Sequence, residues 1–295
     1  MARLTLKERF IDPRSPSRRP RRAAYALPTL FTAGNIFLGF IAILRSIEGA
    51  LFGAGGNLGA NPHFEVAAKA IGAAVVLDGL DGRIARMTNT VSDFGREMDS
   101  LADVITFGIA PAVLAYAWGV HFVTPGGFLL DHRAGYFLAF LFLLCGAVRL
   151  ARFNVQTNPV PKNPGRPDRK YFVGLPIPAA AGMVAAIVYA SDSVPLQGWL
   201  FCVAWLALLA FLSFLMVSTW RYPSFKEIHM TGPRSPLIVI VAGALILLIW
   251  NYSQAVLLAI TSLYVATGIA IRAGGIIRRR FRPHPPPPAP EHQVG

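Results

Sequence analysis

"LDGLDGRIARMTNTVSDFGREMDSLADVITFGIAP", from Leu77 to Pro111, places Asp78, Asp81, Asp99 and Asp103 inside or beside long apolar segments. Burying a charge without a partner is costly, so four carboxylates in such a setting need a counter-charge or a task. Asp78 and Asp81 lie three apart, and Asp99 and Asp103 four apart, so each pair shares one face of a helix. A short connection makes the two helices antiparallel neighbours, and all four acids can then converge at one depth.

The rest of the chain sets the medium. Of its 295 residues 54% are hydrophobic and only 15% charged, and the mean hydropathy is +0.49. Apolar runs of roughly 18 to 23 residues recur, enough to cross about 30 Å of hydrocarbon. The pattern predicts an all-α, polytopic integral membrane protein. The short alternating strands of a membrane β-barrel are missing from the sequence. Cys145 and Cys202 fall within apolar runs, which argues for small buried residues and against a disulfide framework. The run from Ala26 to Ile47 follows basic residues but is too long for a signal-peptide core and lacks a small-residue cleavage site.

Eight helices are expected, at about 27–47, 64–87, 96–118, 134–155, 174–191, 197–218, 235–250 and 253–273. Residues 1–25 read as a basic, disordered arm, 26–273 as one transmembrane catalytic domain, and 274–295 as a basic, proline-rich tail. With eight spans both termini share a side with the stretches Arg83–Arg96, Arg149–Lys170 and Arg221–Arg234. Those regions carry 25 of the 28 Lys and Arg residues, and the other side holds Arg45, Lys69 and Arg133. The positive-inside rule puts the basic side in the cytoplasm of a cell-membrane protein. The net charge of +13 is then explained by segments facing anionic lipid, and no nucleic-acid partner is expected.

Three fillers suit the acidic cluster. Arg83, Arg86 and Arg96 are near enough in sequence to pair with it. Protons could neutralise it, as in an ion-coupled transporter. Divalent cations favour carboxylate oxygen, and two helical pairs of acids suit a two-metal centre able to grip a diphosphate. Gly82, Ala85 and Gly95 keep the surroundings small. A transporter would hold its acids nearer the midplane, whereas these lie toward the cytoplasmic helix ends.

Written out, the stretch is Asp78-x2-Asp81-Gly82-x2-Ala85-Arg86-x8-Gly95-x3-Asp99-x3-Asp103. Every defined position matches the signature of the CDP-alcohol phosphatidyltransferase family, which the chain therefore resembles. "LPTLFTAGNIFLGFIAI" (Leu27–Ile43), "RLARFNV" (Arg149–Val155), "YFVGLPIPAAAG" (Tyr171–Gly182) and "LMVSTWRYPSFK" (Leu215–Lys226) look like its membrane-embedded phosphatidylserine synthase branch, found in bacteria and archaea. The likeness extends from about residue 27 to 273.

The resemblance implies transfer of a phosphatidyl group from CDP-diacylglycerol to the hydroxyl of L-serine, with release of CMP, in a homodimer embedded in membrane lipid. It implies a site with Mg²⁺ or Mn²⁺, two ions, held by Asp78, Asp81, Asp99 and Asp103, with Asp103 as general base. Gly82, Ala85, Arg86 and Gly95 would line the CDP pocket, and Asn35 is a further candidate there. A helix–helix hydrogen bond is the alternative for Asn35, and a snorkelling helix end for Arg86. Arg149, Arg152 and Asn154 are candidates for holding serine, whose carboxylate suits the guanidinium fork. Membrane anchoring explains either arginine equally well. Arg221 and Lys226 could contact lipid phosphate. "GLPIPAAAG" reads as a helix entrance followed by a close-packing face, and the six histidines as solvated surface. The same family also contains enzymes for glycerol 3-phosphate and inositol phosphate, which the catalytic signature alone does not exclude.

Overall fold

A computed structural model describes residues 22–88, 93–123, 132–157, 171–223 and 236–280. Side chains are described for 30–81, 94–123, 132–155, 173–220, 222–223, 247–248 and 251–274. The elements are α1 (Arg22–Ala54), α2 (Pro62–Thr88), α3 (Asp93–Asp103) and a π-helical turn (Val104–Ile109) running directly into α4 (Ala110–Gly119). They continue with α5 (His132–Thr157), β1 (Tyr171–Val173), α6 (Ile177–Ala190), α7 (Trp199–Val217), β2 (Arg221–Pro223) and α8 (Pro236–Arg280).

The chain is a helical membrane protein. Among the described residues five helical stretches are long and apolar enough to span a bilayer: Leu30–Ala54, Phe94–Gly119, His132–Val155, Trp199–Val217 and Asn251–Gly274. Several helices outrun the expected bounds. α1 starts at Arg22, inside the expected arm, because Arg22, Ala23 and Ala24 are all helix formers. α8 continues seven residues past 273 to Arg280, since no proline intervenes before Pro283. The break expected between residues 250 and 253 is present: α8 is two helices meeting at a kink at Tyr252, whose φ of −134° and ψ of 43° leave the helical region.

Lipid offers no hydrophobic drive to bring helices together, so close backbone approach has to supply the packing. The inner face of α2 is accordingly small: Ala67, Ala68, Ala70 and Ala74 are buried, with Phe64 and Ile71 between them. Gly49 of α1 accommodates Phe64; a β-carbon there would stand 2.6 Å from the ring. α6 answers with Ala180, Ala181 and Ala185, also buried.

Asn61 fixes where α2 begins. Its side chain accepts from the His63 amide at 3.1 Å and donates to Gly49 O at 2.9 Å, capping α2 and tying it to α1. Asp78 then falls about 25 Å further along the axis, nearly three turns before the opposite end of the helix.

A two-stranded ribbon closes that opposite end. β1 and β2 pair antiparallel, Phe172 against Tyr222 and Val173 against Arg221. The apolar pattern predicts helix from residue 174, but α6 starts only at Ile177. Gly174 has a φ of +81° and Pro176 is the extended N-cap, so neither continues a helix backward. A β-carbon at Gly174 would meet Met216 O at 2.5 Å, and its amide donates to Trp220 O at 2.8 Å. This turn is how the ribbon is fastened to the end of α7.

Candidate active site

The end of α2 and the start of the α3–α4 rod bring three carboxylates together. One oxygen from each of Asp78, Asp99 and Asp103 lies within 4.8 Å of the other two. Asp103 Oδ1 is buried with no hydrogen-bond partner among the described residues. Three hard oxygen donors at this separation, one of them unsatisfied, are a donor set that fits a divalent cation. Like charges at such range repel, and an intervening cation would remove the conflict.

Asp81 sits beside the triad and is turned away from it. Three residues of an α-helix subtend about 300°, so Asp81 points about 60° away from Asp78. That rotation directs it to α1, where Thr32 Oγ1 donates to Asp81 Oδ2 at 3.0 Å. Asp81 is only 8% exposed. Asp99 and Asp103 are four apart, about 40° out of line, and both reach the triad.

Immediately after Asp103 the helix widens into its π turn, a feature that recurs at functional sites. Thr106 within it is fully buried and donates to Asn35 O of α1 at 3.0 Å. The contact depends on Gly39: a β-carbon there would lie 2.6 Å from Thr106 Oγ1 and 2.8 Å from its Cα. Asn35 is buried, and its Oδ1 has no hydrogen-bond partner among the described residues. The predicted helix–helix tie at this position therefore runs through the backbone of Asn35, which leaves the side-chain oxygen available.

Of the three residues predicted to hold serine, Arg149 differs from the others. It is 8% exposed, interacts electrostatically with Asp103, and its Nε has no hydrogen-bond partner among the described residues. Arg152 instead donates to Val217 O at 3.2 Å and Val173 O at 3.4 Å, binding α5 to the ribbon and the end of α7. Asn154 donates to Ser100 Oγ at 2.8 Å and so ties α5 to α3.

Gly82, Ala85 and Arg86 lie in the last turns of α2, their side-chain surroundings outside the described residues. Gly95 is in the first turn of α3, one turn before Asp99. The side chain of Arg221, and Lys226 altogether, are also outside the described residues. Among the histidines, His63 is engaged, its Nδ1 lying 3.1 Å from Glu48 at the far end of the bundle. Thr32, Thr106, Tyr222 and Tyr264 were not singled out from the sequence. For Thr32 a signal existed: it stands three residues before Asn35 in a mostly apolar stretch of α1, so both polar groups face one way.

Fold and site together define a polytopic α-helical membrane protein with a half-buried acidic centre at one end of its bundle. Residues 25–211 match the model of the family described as CDP-alcohol phosphatidyltransferase. The chain belongs to the CDP-alcohol phosphatidyltransferase family. A CDP-diacylglycerol--serine O-phosphatidyltransferase of Helicobacter pylori is 39% identical over 210 residues, covering 71% of this chain and 76% of the relative. An enzyme of the same name from Bacillus subtilis is 32% identical, over 68% of this chain and 92% of its own length. An archaetidylserine synthase of Methanothermobacter thermautotrophicus is 34% identical over 67% of this chain and 70% of its own.

Proposed function

We propose that the protein transfers the phosphatidyl group of CDP-diacylglycerol to the hydroxyl of L-serine, yielding phosphatidylserine and CMP. The observation that carries this reading is the convergence of Asp78, Asp99 and Asp103, with an unsatisfied Asp103 oxygen, in a chain whose relatives bear serine-transferase names.

Asp78, Asp99 and Asp103 would hold a divalent cation, Mg²⁺ or Mn²⁺, and Asp81 would complete a second position. Such an ion supplies charge neutralisation on the diphosphate and lowers the pKa of a bound alcohol. The protein's own part is positioning and proton transfer. Asp103 takes the proton as the serine oxygen forms its bond to the phosphatidyl phosphorus, while the bond from that phosphorus to the CMP oxygen breaks. Direct in-line displacement by the serine oxygen needs no covalent enzyme intermediate.

Arg149 would receive the serine carboxylate. Its guanidinium interacts electrostatically with the base, and a planar fork recognises a carboxylate through two parallel hydrogen bonds. Arg152 and Asn154 would act as braces that hold α5 in place, since they donate to Val217 O, Val173 O and Ser100 Oγ. Gly82, Ala85, Arg86, Gly95 and Asn35 would surround the CDP moiety.

The topology we infer has eight spans, adding α2, α6 and the part of α8 before Tyr252 to the five long apolar stretches. Both termini and the acidic site would face the cytoplasm, in the cell membrane, and the working unit would be a homodimer. Purified protein, assayed for CMP release from CDP-diacylglycerol with L-serine, glycerol 3-phosphate and inositol phosphate in turn, tests the assignment. Turnover with serine alone is expected. Turnover with glycerol 3-phosphate and none with serine would overturn the acceptor while leaving the family chemistry intact.

A further inference from the structure

Asn154, in the last turn of α5, donates to Ser100 Oγ of α3 at 2.8 Å. The same hydroxyl donates to Arg96 O, one turn earlier on α3, at 2.9 Å. Of the two helices α5 is the firmer at this level. Two residues before Asn154, Arg152 is tied to Val217 O and Val173 O, and Leu150 is buried. Packing alone holds the roll of α3 weakly. Among its described residues only Ala102 is buried outright, and a methyl group resists rotation poorly. Phe94 and Leu101 are exposed. Further along the same rod, Thr106 pins it to α1 through Asn35 O. Asp103 therefore lies between two pins, Ser100 to α5 and Thr106 to α1, and Asp99 is the residue before the first of them.

Roll matters here because the acids must converge on Asp78 of another helix. At about 100° per residue, Ser100 stands about 100° around α3 from Asp99 and about 60° from Asp103, so it flanks the acids and faces α5. A group about 5–6 Å from the helix axis moves by about 2 Å when the helix turns by about 20°. That is about the length of a bond from Mg²⁺ to oxygen, about 2.1 Å. A small slip of α3 would thus undo the approach of one oxygen from each of Asp78, Asp99 and Asp103 to within 4.8 Å. We propose that Asn154 and Ser100 are a positioning pair that sets the roll of α3 and so aims Asp99 and Asp103 at Asp78. This rests on the reading of the three carboxylates as a divalent-cation site. Asn154 then acts on the cation through Ser100 and the rigidity of one helix, without touching cation or acceptor.

The test is Mn²⁺ affinity of purified full-length protein without substrate, read from the paramagnetic signal of the free ion. Ser100→Ala removes the hydroxyl and raises intrinsic helix propensity, so α3 is kept. Ser100→Ala and Asn154→Ala should each weaken Mn²⁺ binding about fivefold to tenfold, the effect of one hydrogen bond. Both changes break the same bond, so the double variant should bind no more weakly than the weaker single one. Ser100→Thr, which keeps the hydroxyl, should bind as the parent does. Mn²⁺ affinity within twofold of the parent in both single variants overturns the proposal, even where their melting temperatures fall, because the bond would then serve stability alone. Losses that multiply in the double variant also overturn it, as does a loss in Ser100→Thr equal to that in Ser100→Ala. Asp78→Asn separates the two levels. If it weakens Mn²⁺ binding while Ser100→Ala and Asn154→Ala do not, only this inference fails. If it leaves Mn²⁺ affinity unchanged, the reading of the acidic centre as the cation site is wrong and this inference falls with it.

Discussion

Thr32 on α1 donates a hydrogen bond to Asp81 on α2, 3.0 Å long and buried, and so holds one carboxylate apart from the Asp78–Asp99–Asp103 triad. The bond gives α1, which contributes no acid to the centre, control over the direction of one. A buried carboxylate without a donor would be strongly disfavoured, so Thr32 serves both stability and aim.

Replacing Thr32 by Val removes the donor at nearly constant volume. Outer-shell partners of metal-binding groups are typically worth a factor of about 10 to 100 in affinity or activity. Mn²⁺ affinity of the purified protein, followed by the paramagnetic signal of the free ion, should fall by about tenfold, and Thr32→Ser should restore most of it.

Asp103→Asn keeps the shape of the side chain and loses its basicity. General-base removal costs typically about 10² to 10⁴ in rate. CMP release should fall by at least about a hundredfold while binding of CDP-diacylglycerol is largely preserved. Near-parental CMP release by this variant would remove Asp103 as the base.

Gly39→Ala puts a methyl group 2.8 Å from the Thr106 backbone, a contact that no rotamer change can relieve. Overpacking of this kind costs about 1–3 kcal/mol. The variant should unfold at lower temperature in detergent, and it should also lose turnover, because Thr106 is three residues beyond Asp103 on the same rod.

Arg152→Gln withdraws the donors to Val217 O and Val173 O. Charged hydrogen bonds of this type are worth about 1.5–3 kcal/mol each. Thermal stability should drop, and the KM for L-serine should remain near that of the parent. A large rise in that KM would return Arg152 to the acceptor pocket.

The spacing of the aspartates made the acidic centre legible in the sequence, because a helix converts intervals of three and four residues into shared faces. The departure of Asp81 is a matter of about 60° of rotation, and only the position of Thr32 on another helix decides where it points. The membrane spans were legible from long apolar runs, but their ends were not, since α1 and α8 continue as helix through charged residues. β1 and β2 are three residues each, too short for any alternation to register, and their pairing joins segments some fifty residues apart. Arg149 and Arg152 are equivalent in the sequence, both basic and near a helix end. Their separation into a buried guanidinium that interacts electrostatically with Asp103 and a brace for the ribbon comes from packing against α7 and β1.

The widened turn at Val104–Ile109 joins two surfaces with different obligations. Upstream, Asp99 and Asp103 look into the acidic centre; downstream, Leu114 and Trp118 are locked into the apolar interior. One extra residue per turn sets the angular phase between them. Ordinary α-helical winding over the same six residues would swing the carboxylates by about 100° relative to their apolar anchor. The reactive groups would then face lipid although every one of them remained in the chain.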